Sequence, residues 1–141
     1  MRRIEGFALA LGLLAAMPVQ ALMWHPVAND ESSVVSLNQD SLVVRGRAVA
    51  AEFQFVFKRT LSAAYADDTR IDSFRRMKTW VEADCAAGTL KVLERTLIGE
   101  KGERVAEGVP TALRAARPSD QLDAAENRML TVACGGVLAA D

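Results

Sequence analysis

The chain has 141 residues, with 17 basic and 18 acidic side chains and a net charge of −1 at pH 7. This length holds one domain, and half of the residues are hydrophobic, which is sufficient for a packed core. The near-neutral charge gives no electrostatic reason to expect nucleic acid or an anionic membrane as a partner.

The first 21 residues have the three-part pattern of a secretory signal peptide. A short basic start, Met1-Arg2-Arg3, precedes an apolar run over residues 7–17, and Pro18 ends that run. Val19-Gln20-Ala21 then supplies small or branched residues where a signal peptidase cuts. The alternative is a transmembrane anchor, but the run has only about half of the roughly 20 residues needed to span a bilayer.

We therefore predict cleavage after Ala21 and a single exported domain over residues 22–141. No cysteine lies near the predicted cleavage site, so no thiol is available there for a lipid anchor. The expected location is the periplasm, or else the medium or cell surface without a lipid anchor. No stable membrane insertion is expected once the signal peptide is removed.

Alternation of apolar and polar residues predicts strands over the first two thirds of the chain. Residues 34–37 and 42–44 are short strand candidates, and Arg45-Gly46-Arg47 predicts a tight turn in which Gly46 takes a positive φ. The clearest strand covers residues 49–57. Residues 58–72, rich in charged and small side chains, are expected to form a long solvated connection. The predicted core face of the clearest strand consists of Val49, Ala51, Phe53, Phe55 and Phe57.

A second long strand is predicted to end at Cys85, with Met77, Thr79, Val81 and Ala83 on the same face as the cysteine. Turns at Gly88 and at residues 99–102 then separate predicted strands over 89–98 and 103–106. These connections are short enough for an antiparallel meander. Trp80 lies on the other face of its strand. We expect a helix to cover Trp80; the alternative is that it is exposed as a binding aromatic.

The last segment changes to helical periodicity. Ser119, after Pro118, is the predicted N-cap, with Asp120 and Asp123 near the positive end of the helix dipole. The helix is expected to end at Cys134, before Gly135-Gly136. Its apolar stripe consists of Leu122, Ala125, Met129 and Val132. The predicted fold class is therefore α+β: an antiparallel β-meander of about six strands with a C-terminal helix packed on it.

Cys85 and Cys134 are the only cysteines, and both lie in the predicted mature domain. In an exported protein such a pair indicates a disulfide, which would stabilise the fold by roughly 4 kcal/mol. Two cysteines and the single His25 do not suffice for a four-ligand zinc site without distant carboxylates. Their spacing also differs from a redox Cys-x-x-Cys pair.

The sequence offers little catalytic chemistry. His25, the only candidate base, lies close to the predicted cleavage site, where Trp24 and Pro26 are expected to anchor the first strand. Glu82 and Asp84 share a strand face about 7 Å apart, but nothing in the sequence predicts that they are buried. The chain has no phosphate-binding glycine loop and no calcium or zinc spacing. We therefore expect no enzyme, no catalytic residue, no cofactor and no metal.

A weaker hypothesis is a cationic binding patch. Arg75, Arg76 and Lys78 cluster on one predicted strand, while Arg45 and Arg47 flank a hairpin turn. If these two clusters meet across the sheet, they would suit a sulfated or otherwise anionic partner, and the expected ligand is a protein or an anionic polysaccharide. The alternative is a solvated rim whose positive charges are offset by nearby Asp and Glu.

Several short segments follow one another in an order known from one family: Trp24, Ser36–Leu42, Trp80–Cys85, Leu90–Arg95, Gly102–Val105, Pro118-Ser119, the helix and Cys134. With this order and the cysteine pair, the chain resembles the surface-adhesin protein E-like domain family of Gram-negative bacteria. The likeness covers most of the predicted mature domain.

The resemblance implies an antiparallel sheet of about six strands with a helix packed on it, and adhesion to host matrix or plasma proteins. The adhesin that named the family carries a lipid anchor, whereas this chain lacks the cysteine for one. We expect an exported, non-enzymatic binding protein. The alternative is a periplasmic, envelope-associated structural or stress protein of unknown ligand.

Overall fold

The computed structural model describes residues 24–62 and 73–136. The predicted signal peptide, most of the connection expected before the second long strand, and the last five residues lie outside these ranges. Within them, one sheet is built of strands β1 (Trp24–Asn29), β2 (Ser33–Asn38), β3 (Val43–Arg45), β4 (Ala48–Ser62), β5 (Ser73–Asp84), β6 (Thr89–Ile98), β7 (Arg104–Glu107) and β8 (Arg117–Pro118).

Every strand pair in the sheet is antiparallel. The main path runs β1-β2-β4-β5-β6-β7, with β3 beside β4 and β8 beside β6. Apart from the short β3 and β8, which lie off this path, sequential strands are neighbours, as predicted for a meander. The turn before β4 has Gly46 at φ 61°, which confirms the predicted tight turn.

Two helices lie after β7, one on each side of β8: a single turn, α1 (Thr111–Arg114), and α2 (Ala124–Thr131), which continues into a π-helical turn over Val132–Gly136. Short 3₁₀ turns cover Gln39–Ser41 and Ser119–Gln121. The strand-rich sheet and the C-terminal helix confirm the predicted α+β class.

The helix α2 packs on one face of the sheet, and the core lies between them. Phe53 and Val81 are fully buried there, and Met129 from the helix is 2% exposed. We call this the covered face. Arg128 Nε donates to the carbonyl of Val27 at 2.7 Å, which also ties the helix to the edge strand β1. Most of the predicted core face of β4 is buried on this side: Ala51, Phe53, Phe55 and Phe57.

The predicted disulfide is confirmed. Cys85 directly follows β5, and Cys134 lies in the π turn after α2, with an S–S distance of 2.03 Å and a Cα–Cα distance of 5.7 Å. The bridge therefore clamps the end of the helix to the end of a central strand.

The predicted helix start was wrong. The N-cap is Asp123, whose side chain accepts from the Glu126 N–H at 2.7 Å, while the Glu126 carboxylate accepts from the Asp123 N–H at 3.2 Å. Ser119 instead begins a 3₁₀ turn, and its hydroxyl contacts the Asn127 side chain at 2.5 Å. Both residue types cap helices well, and this tertiary contact draws Ser119 away from the capping role.

Two strand boundaries also differ from expectation. The connection predicted from Lys58 onward is wrong as far as Ser62, because β4 continues beside β5 with Leu61 opposite Phe74. At the other end, Trp24 and His25 do not merely precede the first strand: they begin β1, pairing with Asn38 and Leu37.

Candidate functional site

The face of the sheet opposite α2, called here the open face, carries the candidate site. In the centre of this face, strand register places Glu52, Trp80 and Glu94 in one row across β4, β5 and β6. The expectation that the helix covers Trp80 was wrong, because the helix packs on the covered face, against the side of β5 that carries Val81. Trp80 is half-buried by its sheet neighbours instead.

A cavity of about 410 Å³ surrounds Trp80 on the open face. The two carboxylates flank the indole, and two cationic side chains line the cavity from β5 and β7. Its lining consists of Glu52, Lys78, Trp80, Glu94, Thr96, Ile98, Gly102 and Arg104. Acidic and basic groups balance here, so the cavity offers both hydrogen-bond donors and acceptors around one aromatic ring.

Local contacts hold parts of this site in place. Glu52 is fixed from two directions: its Oε1 accepts from Asn38 Nδ2 at 3.1 Å, and its backbone N–H donates to Ser41 Oγ at 2.8 Å. Lys78 Nζ lies 6.0 Å from the ring centroid of Trp24, within the range of a cation–π contact. The open face therefore contains two tryptophans with a cation close to one of them.

The charges nearer the disulfide end of the same face are paired. Lys91 Nζ lies 3.3 Å from a carboxylate oxygen of Glu82, and Arg47 Nη2 lies 3.6 Å from one of Asp84. Both carboxylates, considered as an acid–base pair from the sequence, thus have cationic neighbours from adjacent strands or turns. Among the described residues, no group of three or more His, Cys, Asp and Glu side chains is placed to hold a metal ion.

The register keeps the two clusters of the predicted basic patch apart. Arg45 pairs with Ala48, which lies opposite Asp84 at one end of β5. Arg76 is eight residues further along that strand, opposite Val56, a separation of roughly 26 Å in an extended strand.

The remaining members of the predicted patch also take separate roles. Arg75 donates from Nε to the Phe57 carbonyl at 2.6 Å and lies 4.0 Å from a Glu100 carboxylate oxygen. Only Lys78, with Trp80 beside it, belongs to the central cavity.

A second cavity of about 410 Å³ lies on the covered face, between the sheet and α2. Its apolar lining includes Phe55 and Met77 from the sheet and Met129 from α2, while Asp30 and Arg95 contribute polar groups. Arg95 Nε donates to the Gly108 carbonyl at 3.1 Å, so this guanidinium helps to fix the loop before α1.

Sequence reasoning singled out Trp80 and, as part of the basic patch, Lys78, but missed the other residues of the cavity. Glu52 and Glu94 are separated from Trp80 by many residues, and only the strand register brings them together. Arg104 reaches the site because β7 pairs with β6, with Arg104 opposite Ile98. The sequence shows two long strands of alternating apolar and polar residues, with charged residues on the outward face. This pattern does not determine which residues of neighbouring strands lie opposite each other.

The architecture is that of a disulfide-clamped antiparallel sheet with one face covered by a C-terminal helix. The fold is similar to that of protein E of Haemophilus influenzae: for one crystal form, the TM-score is 0.55 at 12% identity, covering 82% of this chain and 89% of that chain. A structure of protein E from non-typeable Haemophilus influenzae gives a TM-score of 0.51 at 12% identity, with 82% and 79% covered. At this identity the likeness shows a protein E-like fold.

No protein-family model matches the chain, and no curated protein matches it. In the ranges 24–62 and 73–136, no helix is long and apolar enough to cross a membrane.

Proposed function

We propose that this chain is an exported, non-enzymatic binding protein whose ligand contacts the open face around Trp80. The observation that carries the proposal is the row of Glu52, Trp80 and Glu94, in which an indole lies between two carboxylates beside a cavity. Tryptophan combines a large apolar surface with an N–H donor, and it is enriched among the residues that dominate binding energy.

Export is supported by the pattern of the first 21 residues and by the disulfide. Disulfides form and persist in oxidising compartments such as the periplasm and the extracellular space. The bridge between Cys85 and Cys134 therefore fits a domain that acts outside the cytoplasm.

Adhesion to a host matrix or plasma protein is the specific form of this proposal. It is supported by the sequence resemblance described above and by the protein E-like fold. Mixed charges around a central aromatic suit a protein surface, because non-obligate interfaces combine an anchoring aromatic with a polar rim.

The first test is surface accessibility. Intact cells are treated with protease and then fractionated, and the mass of the mature protein is read from each fraction. Degradation on intact cells, or protein in the medium, supports adhesion. Protein that is protected until the periplasm is opened would refute adhesion and favour the envelope-associated alternative.

The second test addresses the site. The chain has two tryptophans, so Trp24→Phe leaves Trp80 as the only indole emitter, and its fluorescence is followed during titration with matrix and plasma proteins. The affinity of Trp80→Ala, which lacks this emitter, is compared with that of wild type by surface plasmon resonance on the same immobilised proteins, and the substitution is expected to weaken binding by about 2 kcal/mol, the size of an interface hot spot. Leu93→Ala, at an exposed position on β6 outside the cavity, is the matched control. Equal affinity of wild type and Trp80→Ala would contradict the proposed site.

A further inference from the structure

Among the described residues, the longest run of exposed apolar side chains lies at β3, outside the lining of the Trp80 cavity. Leu42, Val43 and Val44 are consecutive and are 44%, 45% and 75% exposed. In the described part of the chain, Leu93, at 36%, is the only other large hydrophobic residue with comparable exposure. A contiguous exposed patch of this kind marks an interaction surface more often than scattered single residues do.

Of these residues, Leu42 and Val44 form one wall of an apolar cleft of about 480 Å³, called here the β3 cleft. The cleft lies where α2 ends and the sheet continues past it, beside the disulfide. Its apolar lining includes Leu37, Leu42, Val44, Val49, Val132 and Ala133. The cleft is therefore an extension of the core that the helix is too short to cover.

The edge of β3 adds backbone hydrogen-bonding groups to this apolar surface. In the described sheet, β3 pairs with β4 alone, joined to it by the two-residue turn Gly46-Arg47. The pair that closes a two-residue hairpin, here Arg45 and Ala48, exchanges both of its hydrogen bonds, and the next pair does not. The N–H and C=O of Val44 consequently point away from β4, toward the open edge.

The charged residues beside the cleft indicate which kind of molecule it binds. Arg45 and Arg47 lie at the hairpin end of β3, and the Arg47 side chain is 76% exposed even though Asp84 is 3.6 Å away. Two guanidiniums against one carboxylate leave this end positive. A second copy of the chain would add its own two arginines to the same short edge, so like-charge repulsion disfavours self-pairing.

We propose that the β3 cleft binds an extended apolar segment of a partner protein by strand addition, with acidic residues at the N-terminal end of that segment. The segment runs antiparallel to β3, so its first residues lie beside Arg45 and Arg47. Its backbone pairs with Val44, and its alternate apolar side chains enter the cleft. This site is separate from the Trp80 cavity, and its existence does not depend on the function proposed there.

The test uses a fluorescein-labelled peptide with two aspartates followed by alternating valine and threonine, titrated with the mature, oxidised protein. Fluorescence polarisation gives the affinity. A matched peptide with two lysines in place of the aspartates is expected to bind at least about tenfold more weakly, because it meets the same two arginines with like charge.

Val44→Pro removes the outward N–H while leaving the β3–β4 hydrogen bonds in place, since proline is tolerated on edge strands. We expect about a tenfold loss of affinity for the aspartate peptide, the effect of one lost backbone hydrogen bond. Val44→Lys serves as a second variant should Val44→Pro fold poorly, and it is expected to lose binding because an ammonium group is costly to bury in the apolar cleft and the valine contacts are lost. Leu93→Lys, the same change at the other exposed apolar site, should bind as the wild type does.

Four results would overturn the proposal. In the first two, both Val44 variants bind the aspartate peptide with wild-type affinity, or the two peptides bind equally well. In the third, light scattering shows a dimer that Val44→Pro dissociates. In the fourth, the peptide binds only after residues 137–141 are deleted. The last two would identify a second copy or the chain's own terminal residues as the occupant.

Discussion

The two faces of the sheet are built from alternate residues of the same strands and have opposite properties. On β4, Phe53 is fully buried on the covered face, while its neighbour Gln54 is half-buried on the open face. On β5, Val81 and Trp80 show the same alternation. The covered face supplies the packing that holds the domain together. The open face can therefore change its side chains with little effect on folding, which suits a recognition surface.

The largest difference in stability between the two faces is expected for a matched pair of substitutions on β4. Phe53→Ala leaves a cavity in the core and should lower the free energy of unfolding by about 3–5 kcal/mol. Gln54→Ala, one residue away on the open face, should change it by no more than about 0.5 kcal/mol. Urea denaturation followed by circular dichroism measures both. Similar losses in the two variants would mean that both faces contribute to the core.

The second largest effect on stability is expected from the disulfide that holds the helix over the covered face. Replacing Cys85 and Cys134 together by alanine reopens a loop with a sequence separation of 49 and should cost up to about 4 kcal/mol. Thermal and urea denaturation of the double variant give the value, and wild type under reducing conditions is the control. If the double variant matched the oxidised wild type, the clamp would contribute nothing to stability.

A smaller effect is expected at the start of the helix. Asp123→Ala removes the N-cap and its reciprocal bond with Glu126, and should cost about 1 kcal/mol. Asp120→Ala, in the preceding 3₁₀ turn, is the control and should be close to neutral. A larger loss at Asp120 than at Asp123 would contradict the observed cap.

The smallest expected effect is a pH dependence of folding stability that arises at the β1–β2 turn. Hydrogen bonds from the backbone N–H groups of Ser33 and Ser32 hold the pKa of Asp30 below its ordinary value of 3.8. Its carboxylate therefore stabilises the folded state above about pH 3.8, and this contribution is lost as the pH falls through the lower folded-state pKa. The stability advantage of wild type over Asp30→Asn should shrink below that pH in acid denaturation. Glu31→Gln is the control, and an advantage that is independent of pH would contradict this assignment.

Much of the fold could be predicted because period-two alternation is a local property. The buried side of β4 and the turn at Gly46 followed from short stretches of sequence, and the disulfide followed from the two cysteines together with the predicted export. Alternation alone separates the two faces of a strand but does not say which one a helix covers, and so the environment of Trp80 was predicted wrongly.

The features that escaped prediction depend on contacts between distant residues. β1 exists because Trp24 and His25 find partners on β2, and β4 extends to Ser62 because β5 lies beside it. The choice of Asp123 as N-cap depends on where Ser119 meets Asn127. The Trp80 cavity requires the register of four strands, which no single segment of sequence contains.

The position of the disulfide also determines how the domain would respond to a mechanical load. Tension applied to the chain beyond Cys134 passes through the sulfur atoms to Cys85, at the end of the central strand β5. The intervening residues, including β6, β7 and α2, are bypassed and cannot be peeled away one after another. In the oxidised domain the load falls on the end of β5, so those residues are released only after β5 separates from β4, whereas in the reduced domain they can be pulled away first.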